Sequence, residues 1–423
     1  MLLPRFASVS LFLTLALSSS AADSFYLKSG DRVVFYGDSI TDQRLYTVIT
    51  ETYVATRFPN LDIKFVHSGW GGDKVSGGGG GPVDLRLSRD VLAYKPTVLT
   101  IMLGMNDGLY RPETEGTDRA YFDGYKHIVD TVKAADPGVR ITAIEPSPYD
   151  DVTRDPLFPG GYNEVLLSFN KWIASYAGQA GLDVADLNAP VVAMLRRANE
   201  LDPVVAQTIV KDRVHPSFSG HLIMAEALLK AWHAPALVSS VAIHAGSKPK
   251  LIAAEHAAVT DLSSTAGLSW TETEDALPLP LPEWQQNTNL GPIALVLRSS
   301  DLVQAFNSEI LQVSGLSSGV YTLKIDGSSI ANFNNDELAR GVNLALRETP
   351  MTKQAKEVYD LTVAHCNVHN DRWRTVEVPL SAYGFPAAQP AMRSADELEG
   401  AILQKRREAA QPHTHKFNLV PAA

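Results

Sequence analysis

The sequence predicts an α/β fold: a parallel sheet with helices on both faces, followed by a smaller β-rich and helical C-terminal region. Short apolar runs recur at 32–36, 62–67, 97–103, 140–145 and 182–186. Longer amphipathic stretches at 44–57, 83–94, 118–135, 162–179 and 217–232 separate them. Strands apolar on both faces and spaced by helices are the signature of a parallel sheet covered on each side. Composition agrees, with 45% hydrophobic and 20% charged residues, enough for a large soluble core. A length of 423 residues suggests about two or three domains.

The elements follow in order. Arg5, the apolar run Leu11–Leu17 and the small residues Ser20-Ala21-Ala22 form a secretory signal pattern over 1–22. The predicted location is therefore exported, periplasmic or extracellular. The run is too short to span a bilayer, and no other segment is long and apolar enough to be transmembrane. The parallel-sheet domain occupies 23–240. Over 241–290 the composition shifts, and "LSWTETEDALPLPLPEW" reads as a linker or extended arm. The last part, 291–423, combines strand-like alternation over 291–333 ("EILQVSG", "VYTLKIDG") with a helical tail. In that tail "TPMTKQAKEVYDLTVAHCNVHNDRW" has apolar residues at helical spacing, and Ser394 with Glu397 reads as a capping box opening a second helix. A formal charge of −10 argues against nucleic acid or an anionic membrane as main partner. Cys366 is the only cysteine, so an exported chain has no internal disulfide and no lipid-anchor cysteine after its signal.

Ligands of open parallel sheets bind beyond the carboxyl ends of the strands, and four predicted strand ends carry Ser39, Gly72, Asn106 and Pro146. In "VVFYGDSITDQRLY" the apolar run breaks at Gly37-Asp38-Ser39 and then turns helix-compatible. Asp and Ser suit a turn or helix cap. A serine held there is also a candidate nucleophile, provided other segments supply a base and an oxyanion site. In "KDRVHPSF" His215 is the candidate base. Asp212, three residues earlier, lies where one tight loop can present both side chains, its carboxylate fixing the imidazole tautomer. An oxyanion needs donors fixed in advance. Gly72 in "HSGWGGDKV" offers an N–H where a Cβ would obstruct substrate, Asn106 in "LGMNDG" offers an amide, and Ser39 offers its own N–H. Each of these also fits a purely structural role: a turn glycine, an Asx turn, a loop ion pair.

In combination, Gly37-Asp38-Ser39-Ile40-Thr41, Gly72, Gly104-Met105-Asn106-Asp107 and Asp212-Arg213-Val214-His215 resemble the ordered blocks of the SGNH (GDSL) hydrolase superfamily. The resemblance covers about half the chain. It implies a flavodoxin-like three-layer α/β/α fold, ester hydrolysis without metal or cofactor, and Ser39, His215 and Asp212 as catalytic residues with Ser39, Gly72 and Asn106 as oxyanion donors. His67 stands where an Asn often begins the second block, and of Gly71-Gly72 the second precedes Asp73 as the family pattern asks. The C-terminal half resembles the tail of some exported bacterial members.

Other signals are weaker. "GLSSG" at 315–319 fits G-x-S-x-G but lies between strand-like runs and reads as a hairpin turn. His365, Cys366 and His369 share one helical turn without a nearby carboxylate, so a helix surface or a helix–domain contact outweighs a metal site. His413 and His415 fall in a polar tail. The Gly-rich stretch 77–81 lacks the Lys-Ser/Thr of a phosphate loop. Trp70 is a candidate wall for the acyl or sugar group, or a core residue. The expected activity is that of an exported serine esterase, with O-acetylated polysaccharide as preferred substrate. Lipase, lysophospholipase or thioesterase activity stays open, as does a non-catalytic carbohydrate-binding or cell-envelope protein, although the last would be expected to lack part of the triad.

Overall fold

The computed structural model describes residues 25–265, 267–281, 291–380 and 383–422. The signal pattern at 1–22 lies outside the described residues.

Five strands form the first sheet: β1 (Arg32–Gly37), β2 (Lys64–Gly69), β3 (Val98–Met102), β4 (Arg140–Glu145) and β5 (Asp183–Asp186). Their order is β2-β1-β3-β4-β5 and every pairing is parallel. Val33, Val34, Phe35 and Tyr36 of β1 and all of β3 are buried, as expected of strands covered on both faces. The covering helices are α1 (Leu45–Arg57), α2 (Val83–Asp90), α3 (Glu115–Ala135), α4 (Tyr162–Ala180), α5 (Ala189–Leu201) and α6 (Phe218–Ala231). Helix α5 is an addition to the sequence reading, although Pro190 in its first turn and Val191, Met194, Leu195 and Ala198 at helical spacing carry its signal. Because β1 lies between β2 and β3, the chain leaves it in opposite directions to reach its neighbours. A crevice therefore opens at its carboxyl end, where Ser39 sits.

The C-terminal half differs from its reading in several places. The stretch 241–290 is not mainly a linker. It contains β7 (Lys250–Glu255), β8 (Ala257–Ser263) and β9 (Leu268–Glu274), following β6 (Leu237–His244). In β9 the buried positions are Leu268, Trp270, Glu272 and Glu274, so two acids on the inward face hide the alternation. Only the following segment runs as an extended strap, its Leu279 N–H donating to Asn307 Oδ1 at 2.7 Å. Residues Pro292–Ser299 are helical, not a strand, with proline in the first turn.

Strands β10 (Ser308–Ser314), β11 (Val320–Ile325), β12 (Ser328–Asn334) and β13 (Thr414–Pro421) complete two sheets. One runs Val342–Asn343, β10, β6, β7, and the other runs β8, β9, β13, β11, β12. The 315–319 loop is therefore a crossing between sheets, and the hairpin is β11–β12. His415 belongs to β13 inside the second sheet, its Nδ1 2.7 Å from Asp326 Oδ2, and is no tail residue. Trp270 stacks on Phe417 at 5.1 Å between centroids in the core of this half.

Helix α7 (Pro350–Asn370) and helix α8 (Ala388–Ala409) pack on each other, and α7 docks on α1 and β2. Helix α8 begins before the Ser394/Glu397 pair, which lies in its interior and does not cap it. His365 and His369 are buried in this docking face. His365 Nδ1 is 3.3 Å from Glu51 Oε1, and His369 Nδ1 is 3.4 Å from Glu399 Oε1. Glu51 also accepts from Arg406 and lies 2.9 Å from His67 Nε2. Among the described residues no group of three or more His, Cys, Asp or Glu side chains is placed to hold a metal ion.

Candidate active site

Ser39 opens a one-turn helix, Ser39–Asp42, directly after β1. Asp38 caps it, its Oδ1 accepting from the Ile40 N–H at 3.0 Å. The structural reading of Asp38 therefore holds alongside the chemical reading of Ser39. Burial pushes the Asp38 carboxyl up to about 7 against the opposing Ile40 hydrogen bond, and nearby Asp107 and Asp73 push it further in the same direction.

The loop before α6 brings the partners. Asp212 Oδ1 accepts from the N–H groups of Val214 (3.0 Å) and His215 (2.8 Å), and Arg213 takes a left-handed φ of 72° to close the turn. The other carboxylate oxygen, Oδ2, lies 2.6 Å from His215 Nδ1, and His215 Nε2 lies 2.8 Å from Ser39 Oγ. A carboxylate only accepts, so Nδ1 carries the proton and the bare Nε2 faces the serine hydroxyl. Partial burial pushes the Asp212 carboxyl up, but hydrogen bonds from the His215 N–H, the His215 ring and the Val214 N–H outweigh it and hold it below its ordinary value. It is ionised when the imidazole needs it.

Hydrogen bonds also knit the other two blocks to this one. Trp70 N–H donates to Gly37 O at 3.0 Å, and Gly71 N–H donates to Asp42 Oδ2 at 3.1 Å. Asn106 Nδ2 donates to Asp73 O at 2.9 Å, while Tyr110 Oη donates to Asn106 Oδ1 at 3.0 Å. One amide hydrogen of Asn106 is thus used, and the tyrosine fixes which way the amide points. Gly72 has φ of 77°, a conformation that favours glycine, and a Cβ there would meet no atom within 4 Å. The left-handed φ by itself favours glycine there, since the protein leaves room for a Cβ. The crowded position is Gly69, where a Cβ would strike the Asp42 backbone.

An open cleft of about 720 Å³ is lined by Ser39, Asp42, Gln43, Arg44, Asp212, His215, Asn370 and Arg374. Gly72 and Asn106 are not part of this lining. Trp70 is not in the wall either. It packs edge to face with Trp373 at 5.6 Å and carries the Arg374 guanidinium 3.5 Å above its ring. The sequence reading missed Asn370 and Arg374, because nothing local to α7 marks it as part of a site more than 300 residues away in the chain.

The GDSL-like lipase/acylhydrolase family matches residues 35–223, which span all of these blocks. An acetylxylan esterase of Geobacillus stearothermophilus is 26% identical over 221 residues, 48% of this chain and 94% of that protein. The structure of a gut microbial diltiazem-metabolizing enzyme matches with a TM-score of 0.80 at 26% identity, covering 94% of this chain and 98% of its own. The second likeness extends through both C-terminal sheets and helices, so this whole architecture recurs. The chain is a carboxylic ester hydrolase whose residues 35–223 belong to the GDSL-like lipase/acylhydrolase family of the SGNH hydrolase superfamily.

Proposed function

We propose that this protein is an exported serine esterase that removes acetyl groups from O-acetylated polysaccharide. Ser39 Oγ attacks the ester carbonyl as His215 Nε2 takes its proton, and His215 then returns that proton to the leaving alcohol. Asp212 holds the imidazole in the competent tautomer and offsets its charge once protonated. The Ser39 N–H, the Gly72 N–H and the free Asn106 amide hydrogen are the donors for the tetrahedral oxyanion. Water then attacks the acyl-enzyme with His215 again as base.

The observation that carries the mechanism is the continuous chain from Ser39 Oγ to His215 (2.8 Å) to Asp212 (2.6 Å) inside an open cleft. The substrate class is supported by the lining of that cleft, every residue of which is polar. A hydroxyl-rich alcohol finds hydrogen-bonding partners there. The similarity to an acetylxylan esterase points the same way. Export rests on the N-terminal signal pattern in the sequence.

Ser39→Ala should lower turnover of 4-nitrophenyl acetate by about 10⁴–10⁶-fold with an unchanged circular dichroism spectrum. Substantial activity in the purified variant would remove Ser39 from the mechanism. For substrate class, acetate release from acetylated xylan should proceed readily, while esters of eight or more carbons turn over poorly. The reverse ranking would favour a lipase.

A further inference from the structure

We infer that Arg374, supplied by the C-terminal half, is a positioning residue for the oxyanion side of the active site. The inference rests on the reading of Ser39 as nucleophile and Gly72 as oxyanion donor. Arg374 lies in a wide-turn π-helical segment, Asp371–Glu377, that continues α7. From there its guanidinium meets the catalytic half at three points. It stacks 3.5 Å from the centroid of the Trp70 ring, its Nη1 lies 3.4 Å from the Gly69 carbonyl oxygen, and the same Nη1 lies 3.7 Å from Asp42 Oδ1.

Those three points frame the turn that ends in Gly72. Gly69 is the last residue of β2, and Trp70 is the first of the turn. Asp42 reaches the turn through its other oxygen, which accepts the Gly71 N–H at 3.1 Å. Asp42 is also the last residue of the short helix that Ser39 begins. One cation therefore ties the serine's helix to the turn that must hold the Gly72 N–H in place.

Two further cations, Arg86 and Arg89, lie 5.3 and 5.5 Å from the Trp70 centroid and add to the contacts that hold the indole in place. A planar guanidinium suits this position, since it can lie flat on an indole while its edge hydrogen-bonds; an ammonium cannot do both. The π-helical widening has a role in this reading, because such insertions recur at functional sites and here one aims a side chain at the cleft.

Positioning predicts a specific kinetic split. Arg374→Ala, assayed in the full-length protein with 4-nitrophenyl acetate, should lower kcat about 10–100-fold with KM within about twofold, because a small misplacement of a donor acts on the transition state. Inactivation by an alkyl fluorophosphonate, which also needs the oxyanion donors, should slow by a similar factor. Guanidinium ion at tens of millimolar should restore part of kcat, and ammonium should not. Arg374→Lys keeps the charge and most of the stem, so it carries the test should the alanine variant fail to fold; it too should lose kcat at constant KM. The inference is overturned if KM rises while kcat stays constant, which would make Arg374 a substrate contact. It is equally overturned if kcat is unchanged, or if its loss only tracks the folded fraction in urea titrations. Survival of activity in Ser39→Ala would be a separate failure, that of the underlying mechanism.

Discussion

Behind the Gly72 turn, Arg86 is fully buried, and it donates to Asp73 Oδ2 at 2.7 Å, to the Ser68 carbonyl at 2.7 Å and to Asp90. Where the two C-terminal sheets meet the end of α1, Glu309 is equally buried, and both its oxygens lack a partner among the described residues. The first region is densely paired: Arg89 Nε and Trp373 Nε1 each donate to Asp90 Oδ1 at 2.7 Å. The second gathers Glu272, Glu274 and Glu309 near Arg57, but Arg57 is occupied elsewhere. Its Nη1 donates to the carbonyls of Pro235 and Leu237, and its Nη2 to that of Phe306. Burial, then the neighbouring Glu272, push the Glu274 carboxyl up to about 8, and burial pushes Glu272 to about 7. The carboxylates behind the turn thus meet cations directly, while burial raises Glu272 and Glu274 in the accessory core. One network holds geometry; the other stores a sensitivity to pH.

The largest effect should come from breaking the paired network. Arg86→Met fills similar volume but leaves Asp73 and Asp90 buried without their main cation. Breaking a buried pair by removing one partner costs about 3–5 kcal/mol. Urea unfolding at neutral pH would measure it. A loss of under about 1 kcal/mol would mean that water reaches the carboxylates, and the network would not be the closed structure described.

The acids of the accessory core predict a smaller, pH-dependent effect. Glu274 has an ordinary carboxyl value of 4.5 and a folded value of about 8, so across that window the unfolded chain has released a proton that the folded chain still holds. The contribution of Glu274 to stability therefore falls as pH rises from about 4.5 to 8. Burial and its acidic neighbours raise Glu309 in the same direction. Glu309→Gln removes one titrating group and the repulsion it exerts on Glu274. Urea midpoints of the variant and the parent should lie close together at pH 5, and the variant should be the more stable at pH 8.5. Identical pH profiles would show that Glu309 does not titrate within the folded range.

The same contrast explains what could be read from the sequence. The parallel sheet, its helices and the Ser39, His215 and Asp212 chain were legible because each block is local. A buried strand ends, a turn residue follows, and side chains three residues apart share a loop. Strand β9 was illegible because Glu272 and Glu274 occupy inward positions where the pattern calls for apolar residues. The His365/His369 pair seemed to lack a carboxylate because Glu51 and Glu399 come from distant elements. Arg374 had no local signal at all, since its meaning depends on where a helix docks.

The smallest effect separates two adjacent arginines on α8. Arg406 is buried against Glu51 in the docking face. Arg407 points outward, its Nη1 2.9 Å from Asp62 Oδ1, with side chains 51% and 63% exposed. Both pairs join the C-terminal helix to the catalytic half, so a count of ion pairs would treat them alike. Solvent does not. An exposed pair gains little over its hydrated components and orders two long side chains, for a net of about 0–1 kcal/mol that salt screens further. The helix end has other anchors as well, since Gln411 Nε2 donates to the Pro59 carbonyl at 3.2 Å beside the same loop. Arg407→Ala should therefore shift stability by less than about 1 kcal/mol, and the difference from the parent should shrink between 0.05 and about 0.5 M salt. A loss of several kcal/mol, or one insensitive to salt, would place Arg407 in the buried docking network with Arg406.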